Sequence, residues 1–230
     1  MRRIISLFIA VLMLSSLAFA ETDIHVTGSA TVQLSADYAV ISLGVQAREK
    51  SVLRAQSQVN ETMLKIQAAL GELGIEKQSF STDSIRISTY YESSRVKVDY
   101  YSASQTFMVK TTDLNTIGQL IDTAFANGAT ALNSISYYAN DTSIAQAQAA
   151  DLAVKDAKAK ADVIAKSLDL KIIGVSSVSQ NAGYSSNLMS NYSFVPEAVY
   201  FDDYSPTLVQ PNKINVSVSV TIDFIAEEVE

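Results

Sequence analysis

The sequence predicts an α+β fold in which a mainly antiparallel sheet is covered by helices on one face. Three stretches, at about residues 51–73, 114–126 and 143–170, carry apolar residues at helical spacing. Elsewhere apolar and polar residues alternate, which is typical of strands with one buried face. The second to fifth strands and the first two helices follow the order β-α-β-β-α-β. This split βαβ core is extended by a further helix and further strands.

The helices are predicted from their apolar stripes and their ends. The first stripe contains Val52, Ala55, Val59, Met63, Ile66, Leu70 and Leu73, and Gly74 follows where a left-handed cap is expected. Gly128 is a similar stop signal after the second stripe. The third stripe is mostly alanine: Ala147, Ala150, Val154, Ala157, Ala161, Ile164 and Leu168. Three acid-before-base pairs lie outside it: Asp151–Lys155, Asp156–Lys160 and Asp162–Lys166. The small side chains predict a close approach by whatever packs on this helix.

The strands are predicted at about residues 24–34, 39–47, 85–91, 101–109, 131–138, 171–179 and 214–224. The first and second are expected to pair antiparallel, and the third and fourth form a hairpin around the polar residues 92–99. Residues 181–211 are rich in Ser, Tyr, Asn and Pro and form a long irregular loop. Because no linker divides the chain, residues 21–230 are expected to form a single domain.

The first 20 residues have the features of a signal peptide. Arg2 and Arg3 precede a short apolar run, and residues 18–20 (AFA) form a cleavage site before Glu21. Cleavage would leave 15 basic and 24 acidic residues, a balance that argues against nucleic acid as a partner. No later segment is apolar enough to span a membrane. We therefore expect a periplasmic or secreted protein, which lacks disulfides because the chain has no cysteine.

No catalytic, metal-binding or cofactor-binding constellation is visible in the sequence. His25 is the only histidine and is expected to be solvated on the polar face of the first strand. A zinc site or a Ser-His-Asp triad would therefore depend on this one imidazole. Asp202 and Asp203 could bind a cation weakly, although a solvated loop is the simpler interpretation.

Tyrosines are the candidate contact residues for a partner or a second copy. Tyr90 and Tyr91 precede the hairpin turn, Tyr100 and Tyr101 follow it, and Tyr192 and Tyr200 lie in the long loop. Aromatic rings with a polar tip suit such contacts, but cross-strand packing explains them equally well. The second face of the sheet carries uncharged polar residues that could face water or line an interface or cavity: Thr27, Thr31, Ser42, Ser88, Ser102, Ser104, Ser217 and Ser219.

Several segments resemble the SIMPL-domain family. They include residues 24–28 (IHVTG), Asp37, residues 41–45 (ISLGV), Gly128-Ala129 and residues 153–161 (AVKDAKAKA). The resemblance covers nearly all of residues 24–224. It implies an exported bacterial protein, often periplasmic, and in some members a link to protection against oxidative stress or assembly into rings or hollow oligomers. It supplies no catalytic residues.

The leading hypothesis is an exported, non-enzymatic protein of the cell envelope that acts by self-assembly or binding, with a role in oxidative-stress defence. Its partners would be further copies of the chain or another envelope protein. Two alternatives remain open. One is a carrier that holds a small ligand on the polar sheet face, and the other is a hydrolase that uses carboxylates.

Overall fold

The computed structural model describes residues 21–93, 96–185, 188–190, 207–210 and 213–229. Helices and antiparallel strands alternate along the chain, which confirms the α+β class. The helices are α1 (Val52–Glu72), α2 (Ile117–Ala126) and α3 (Ser143–Ser167). The strands are β1 (Thr22–Leu34), β2 (Tyr38–Glu49), β3 (Phe80–Tyr91), β4 (Val98–Thr111), β5 (Ala131–Tyr138), β6 (Leu170–Ser185), β7 (Leu188–Ser190) and β8 (Ile214–Glu228).

These elements form two compact units from interleaved segments of the chain. The alanine-helix unit takes its described residues from 21–32, 143–183 and 216–229, and the five-stranded unit takes the others. The sequence predicted one extended sheet, whereas the strands divide between two sheets. Alternation identifies the buried face of each strand but not the strand beside which it lies. The prediction that residues 21–230 form one domain stays a prediction.

The five-stranded unit contains the predicted split βαβ core. Its sheet has the order β3-β4-β2-β5-β7, and β4 lies between β2 and β3. Helix α1 packs on β2 and β4, and it buries the predicted residues Ala55, Val59, Met63, Ile66 and Leu70. Both predicted glycine ends are confirmed, with positive φ angles of 86° at Gly74 and 105° at Gly128.

The alanine-helix unit is a three-stranded sheet, in the order β1-β8-β6, with α3 on one face. Strand β1 therefore pairs with β8, although the sequence had placed it beside β2. Alternate residues of β8 face the helix, from Val218 to Ala226. The core that they share with α3 includes Ile24 and Val26 of β1.

The apolar face of α3 differs from the predicted stripe. Its buried residues recur strictly every four positions: Ala145, Ala149, Ala153, Ala157, Ala161 and Ala165. The larger members of the predicted stripe, Val154, Ile164 and Leu168, are exposed. A row of every fourth residue runs at about 26° to the helix axis. The prediction was therefore wrong in phase at both ends of the helix and correct at Ala157 and Ala161.

The close backbone contact at Gly28 explains why only alanine residues of α3 are buried. A Cβ atom added to Gly28 would lie 2.0 Å from the carbonyl oxygen of Ala153 and 2.4 Å from the amide nitrogen of Ala157. The backbone of β1 thus touches the backbone of α3, and any larger side chain would force the two apart. Close approach was predicted from the alanine content, and Gly28 supplies the other half of the contact.

Part of the predicted loop over residues 181–211 is strand. Strand β6 continues to Ser185, and β7 pairs with β5 through Ser190 and Ser134. These strand residues were not predicted because they are mostly polar and show no apolar alternation. The rest of the predicted loop includes residues 191–206, which lie outside the described residues.

The packing of α3 gives a direct test. We expect Ala157→Leu to lower the free energy of unfolding by about 1–3 kcal/mol, because the added atoms would enter a contact that leaves no space. Ala159 is exposed on the same helix, so Ala159→Leu is the matched control and should change stability little. Urea denaturation measures both variants. Equal midpoints would contradict the assigned helix phase.

Candidate functional site

The clearest candidate contact surface is the hairpin formed by residues 84–91 of β3 and 98–105 of β4, called here the arm. Tyr90 pairs with Tyr100 across the two strands. Their rings stack with centroids 4.6 Å apart, and the guanidinium carbon of Arg48 lies 5.4 Å from the centroid of Tyr100. Tyr101 pairs instead with Thr89, and Tyr91 is 55% exposed.

The arm also exposes aliphatic side chains. Ile85 faces Gln105 and Ile87 faces Ala103 in the β3–β4 ladder. Ala103 is buried, so these isoleucines lie on the side of the sheet that α1 covers further along. Here the side chains are left open, and Ile85 is 61% exposed. The alternation in the third strand predicts that both isoleucines lie on a buried aliphatic face. They are exposed instead, because periodicity cannot show where a covering helix ends.

The edge strands of the two sheets differ: side chains of α3 bond to the backbone of β1, whereas β3 exposes aliphatic side chains. On β1, the carboxylate of Asp156 accepts a hydrogen bond from the Ser29 amide at 2.9 Å, and the Lys160 ammonium donates to the Thr27 carbonyl at 3.0 Å. Asp156 and Lys160 also form one of the predicted ion pairs, at 2.7 Å, which lowers the pKa of Asp156. Strand β3 is an edge of the five-stranded sheet, and its uncovered isoleucines make that edge suitable for association.

The remaining predicted contact residues, Tyr192 and Tyr200, are outside the described residues, as are Asp202 and Asp203.

A second aromatic pair, which the sequence did not reveal, joins Tyr38 and Tyr138 with centroids 5.2 Å apart. The Lys110 ammonium lies 4.0 Å from the centroid of the Tyr38 ring. These two tyrosines are opposite in register only because β2 and β5 pair, which no local pattern predicts.

His25 is exposed on β1, as expected, but it is not merely solvated. Its Nδ1 atom contacts the carboxylate of Asp223, and the Ser177 hydroxyl donates to the other carboxylate oxygen. These are the residue types of a hydrolytic triad in a different order. In a triad the imidazole lies between the serine and the acid, so that it can take the serine proton. Here the acid lies in the middle, so the hydroxyl is not activated.

The predicted polar face is divided between the two sheets, and its hydroxyl groups bond to neighbouring side chains. In the alanine-helix unit, Thr27 bonds to Thr221 at 3.0 Å and Thr31 to Ser217 at 2.9 Å. In the five-stranded unit, Ser102 accepts a hydrogen bond from Gln46 at 2.8 Å. These hydroxyls stabilise cross-strand pairs.

A shallow groove of about 270 Å³ lies between α1 and the start of β3. Its sides contain both amide and apolar side chains, among them Asn60, Met63, Phe80, Gln105 and Phe107. The volume is slightly below the roughly 300–1,000 Å³ of typical small-molecule sites.

The amino-acid sequence matches the profile of a known protein family. The SIMPL family profile, described as "Protein of unknown function (DUF541)", covers residues 24–224. The chain belongs to the SIMPL family. This confirms the resemblance found in the sequence.

Two curated relatives are similar to this SIMPL chain over most of their length. Both are named 26 kDa periplasmic immunogenic protein, one from Brucella melitensis and one from Brucella abortus. Each is 25% identical over 210 residues, which cover 87% of this chain and 84% of the relative.

Two negative findings concern the described part of this SIMPL chain. Those residues contain no cluster of three or more histidine, aspartate or glutamate side chains that could hold a metal ion. In the same residues, no helix is long and apolar enough to cross a membrane.

The Asp223 network makes a pH-dependent prediction. The Ser177 hydroxyl, and then His25, hold the pKa of Asp223 below its ordinary value. A carboxyl group with a lowered pKa in the folded state stabilises the fold above its ordinary pKa. That contribution disappears as the pH falls through the folded-state pKa. Ser177→Ala should therefore raise the pKa of Asp223 towards its ordinary value, as measured by NMR titration of the carboxyl carbon.

Ser176→Ala is the matched control, because the Ser176 hydroxyl donates to the backbone carbonyl of Asp223 at 3.2 Å and not to the carboxylate. An Asp223 pKa that is the same in both variants would show that Ser177 does not stabilise the ionised carboxylate.

Proposed function

We propose that this SIMPL chain is an exported, non-enzymatic protein of the cell envelope that acts by self-assembly through the arm, or by binding another envelope protein there. The observation that carries the proposal is the uncovered arm at a sheet edge, with exposed Ile85, Ile87, Tyr90 and Tyr91. Edge strands and exposed aromatic side chains both favour association.

The chemistry of the described residues supports a role without catalysis. His25 and Asp223 meet, but Ser177 bonds to the carboxylate and is not activated as a nucleophile. The hydroxyl groups of the polar face bond to one another, which weakens the case for a small-ligand carrier. Association therefore explains more of the exposed surface than either alternative.

Location in the periplasm is supported by the printed name of the Brucella relatives and by the signal-peptide features of residues 1–20. We propose cleavage before Glu21, which N-terminal sequencing of the exported protein checks; a chain that retains Met1 would contradict it.

A role in oxidative-stress defence is supported by the family resemblance. Unchanged peroxide survival of a strain that lacks the protein would remove this part of the proposal.

Assembly is tested by changing the exposed tip of the arm. We expect Tyr91→Lys to convert an oligomer into a monomer at micromolar concentration, because the new charge would have to be desolvated at the contact. Light scattering measures the mass. Val163→Lys is the control, since Val163 is 65% exposed on α3, away from the arm along the chain. A monomeric wild-type mass, or an oligomer that survives Tyr91→Lys, would contradict self-assembly through the arm.

A further inference from the structure

The groove between α1 and β3 lies beside an edge strand. Met63 and Leu64 of α1 lie along one side, and Phe80, Ser81 and Thr82 of β3 along the other. Within the described residues, β3 pairs with β4 alone and ends the sheet. One row of its backbone N–H and C=O groups therefore points away from the sheet, beside the groove.

The chemistry of the groove favours an uncharged occupant. No charged side chain lines it. Phe80 offers aromatic surface, while Asn60, Gln67 and Gln105 carry amides. Gln105 donates to the Thr82 hydroxyl at 3.2 Å, an arrangement that leaves its carbonyl oxygen available. A buried ion would find no counter-charge in such a site, so a neutral apolar side chain is the group that fits.

An apolar strip continues from the groove along β3. The ladder shifts register between Thr82 and Ser84, and beyond this bulge Ile85 faces Gln105, which itself lines the groove. Ile87 follows on the same side, two residues further on. Bulges often occur next to binding sites, where they redirect side chains. The groove and the two isoleucines thus form one strip beside an unpaired strand edge.

We propose that the edge of β3 and the groove bind an extended, uncharged peptide segment with apolar side chains at every second position. The segment would add a strand beside β3, so that its backbone pairs with the free edge. Side chains on one face of a strand repeat at roughly 7 Å. One apolar side chain would enter the groove, and the next ones would cover Ile85 and Ile87.

A peptide fits this surface better than a compact ligand or a second copy. The groove is open and small, and the apolar strip beyond it is linear. A second copy that paired β3 with β3 around a two-fold axis would bring its own α1 to the same side of the joined sheet. A single extended chain brings no helix and leaves the groove open to its side chains. This surface shares Ile85 and Ile87 with the arm, but it does not include Tyr91 at the tip, where the assembly proposal is tested.

The probe is a fluorescein-labelled heptapeptide in which leucine alternates with threonine, with both ends blocked. The first control has the same composition with its leucines adjacent. The second has N-methyl groups at alternate peptide bonds, which prevents strand pairing. Fluorescence anisotropy with the full-length mature protein measures binding. We expect saturable binding of the alternating peptide and about tenfold weaker binding of both controls.

The protein variants are matched on one helix. Leu64 lines the groove and is 66% exposed, whereas Leu53 is 77% exposed on α1 outside it. Leu64→Glu should weaken binding about tenfold or more, because the occupant would bury the new charge. Leu53→Glu should bind as the wild type does, and both variants should unfold at the wild-type temperature.

Three results would overturn the proposal: no saturable binding, equal binding of the alternating and control peptides, or equal affinities of Leu64→Glu and Leu53→Glu. A fourth is a lower protein mass in Leu64→Glu without peptide, which would assign the groove to a contact between copies. Tyr91→Lys separates this site from assembly, because it should change the mass and leave peptide affinity unchanged. A monomeric wild type that binds the peptide would contradict assembly alone.

Discussion

The backbone contact between Gly28 of β1 and residues 153–157 of α3 sets the construction of the alanine-helix unit. No Cβ atom fits at Gly28, so β1 lies against the helix itself. The helix must then present alanine wherever it meets the sheet, and it does so at every fourth position from Ala145 to Ala165. Because dispersion attraction between atoms depends on close packing, the contacts along this row stabilise the unit in place of contacts that larger side chains would make. Val154, Ile164 and Leu168 are left outside as a consequence.

That close approach also places Asp156 and Lys160 within reach of the edge of β1. The two side chains bond to the Ser29 amide and the Thr27 carbonyl, so the helix that covers one face of the sheet also covers part of its edge. In the five-stranded unit, β3 carries its exposed isoleucines beyond the part of the sheet that α1 covers. Charged side chains thus satisfy part of the backbone edge of β1. Strand β3 instead keeps an open edge of the kind through which strands of different chains pair.

The sequence predicted those features that depend on local chemistry. Large aliphatic residues at helical spacing gave the buried face of α1, because few other residues could fill it. Gly74 and Gly128 marked helix ends because both adopt positive φ angles. The face of α3 was wrong at its ends for a related reason. Alanine occurs on all sides of that helix, so the larger residues decided the predicted stripe although the contact excludes them.

Long-range pairing could not be predicted from the same patterns. Alternation placed His25 and Asp223 on polar strand faces, yet they meet only because β1 pairs with β8, 198 residues away. The exposure of Ile85 has a similar origin, since it depends on where α1 ends above the sheet. Both features therefore depend on tertiary contacts for which the local sequence carries little signal.

The arm is the surface through which we propose that the chain associates. Hydrogen–deuterium exchange, followed by mass spectrometry in dilute and concentrated samples of the mature protein, tests this proposal most directly. Amides that a contact between copies covers exchange more slowly. We expect the arm, residues 84–91 and 98–105, to become more protected on concentration, whereas residues 22–34, whose edge Asp156 and Lys160 engage, do not change. The same exchange rate for the arm in both samples would contradict the proposal.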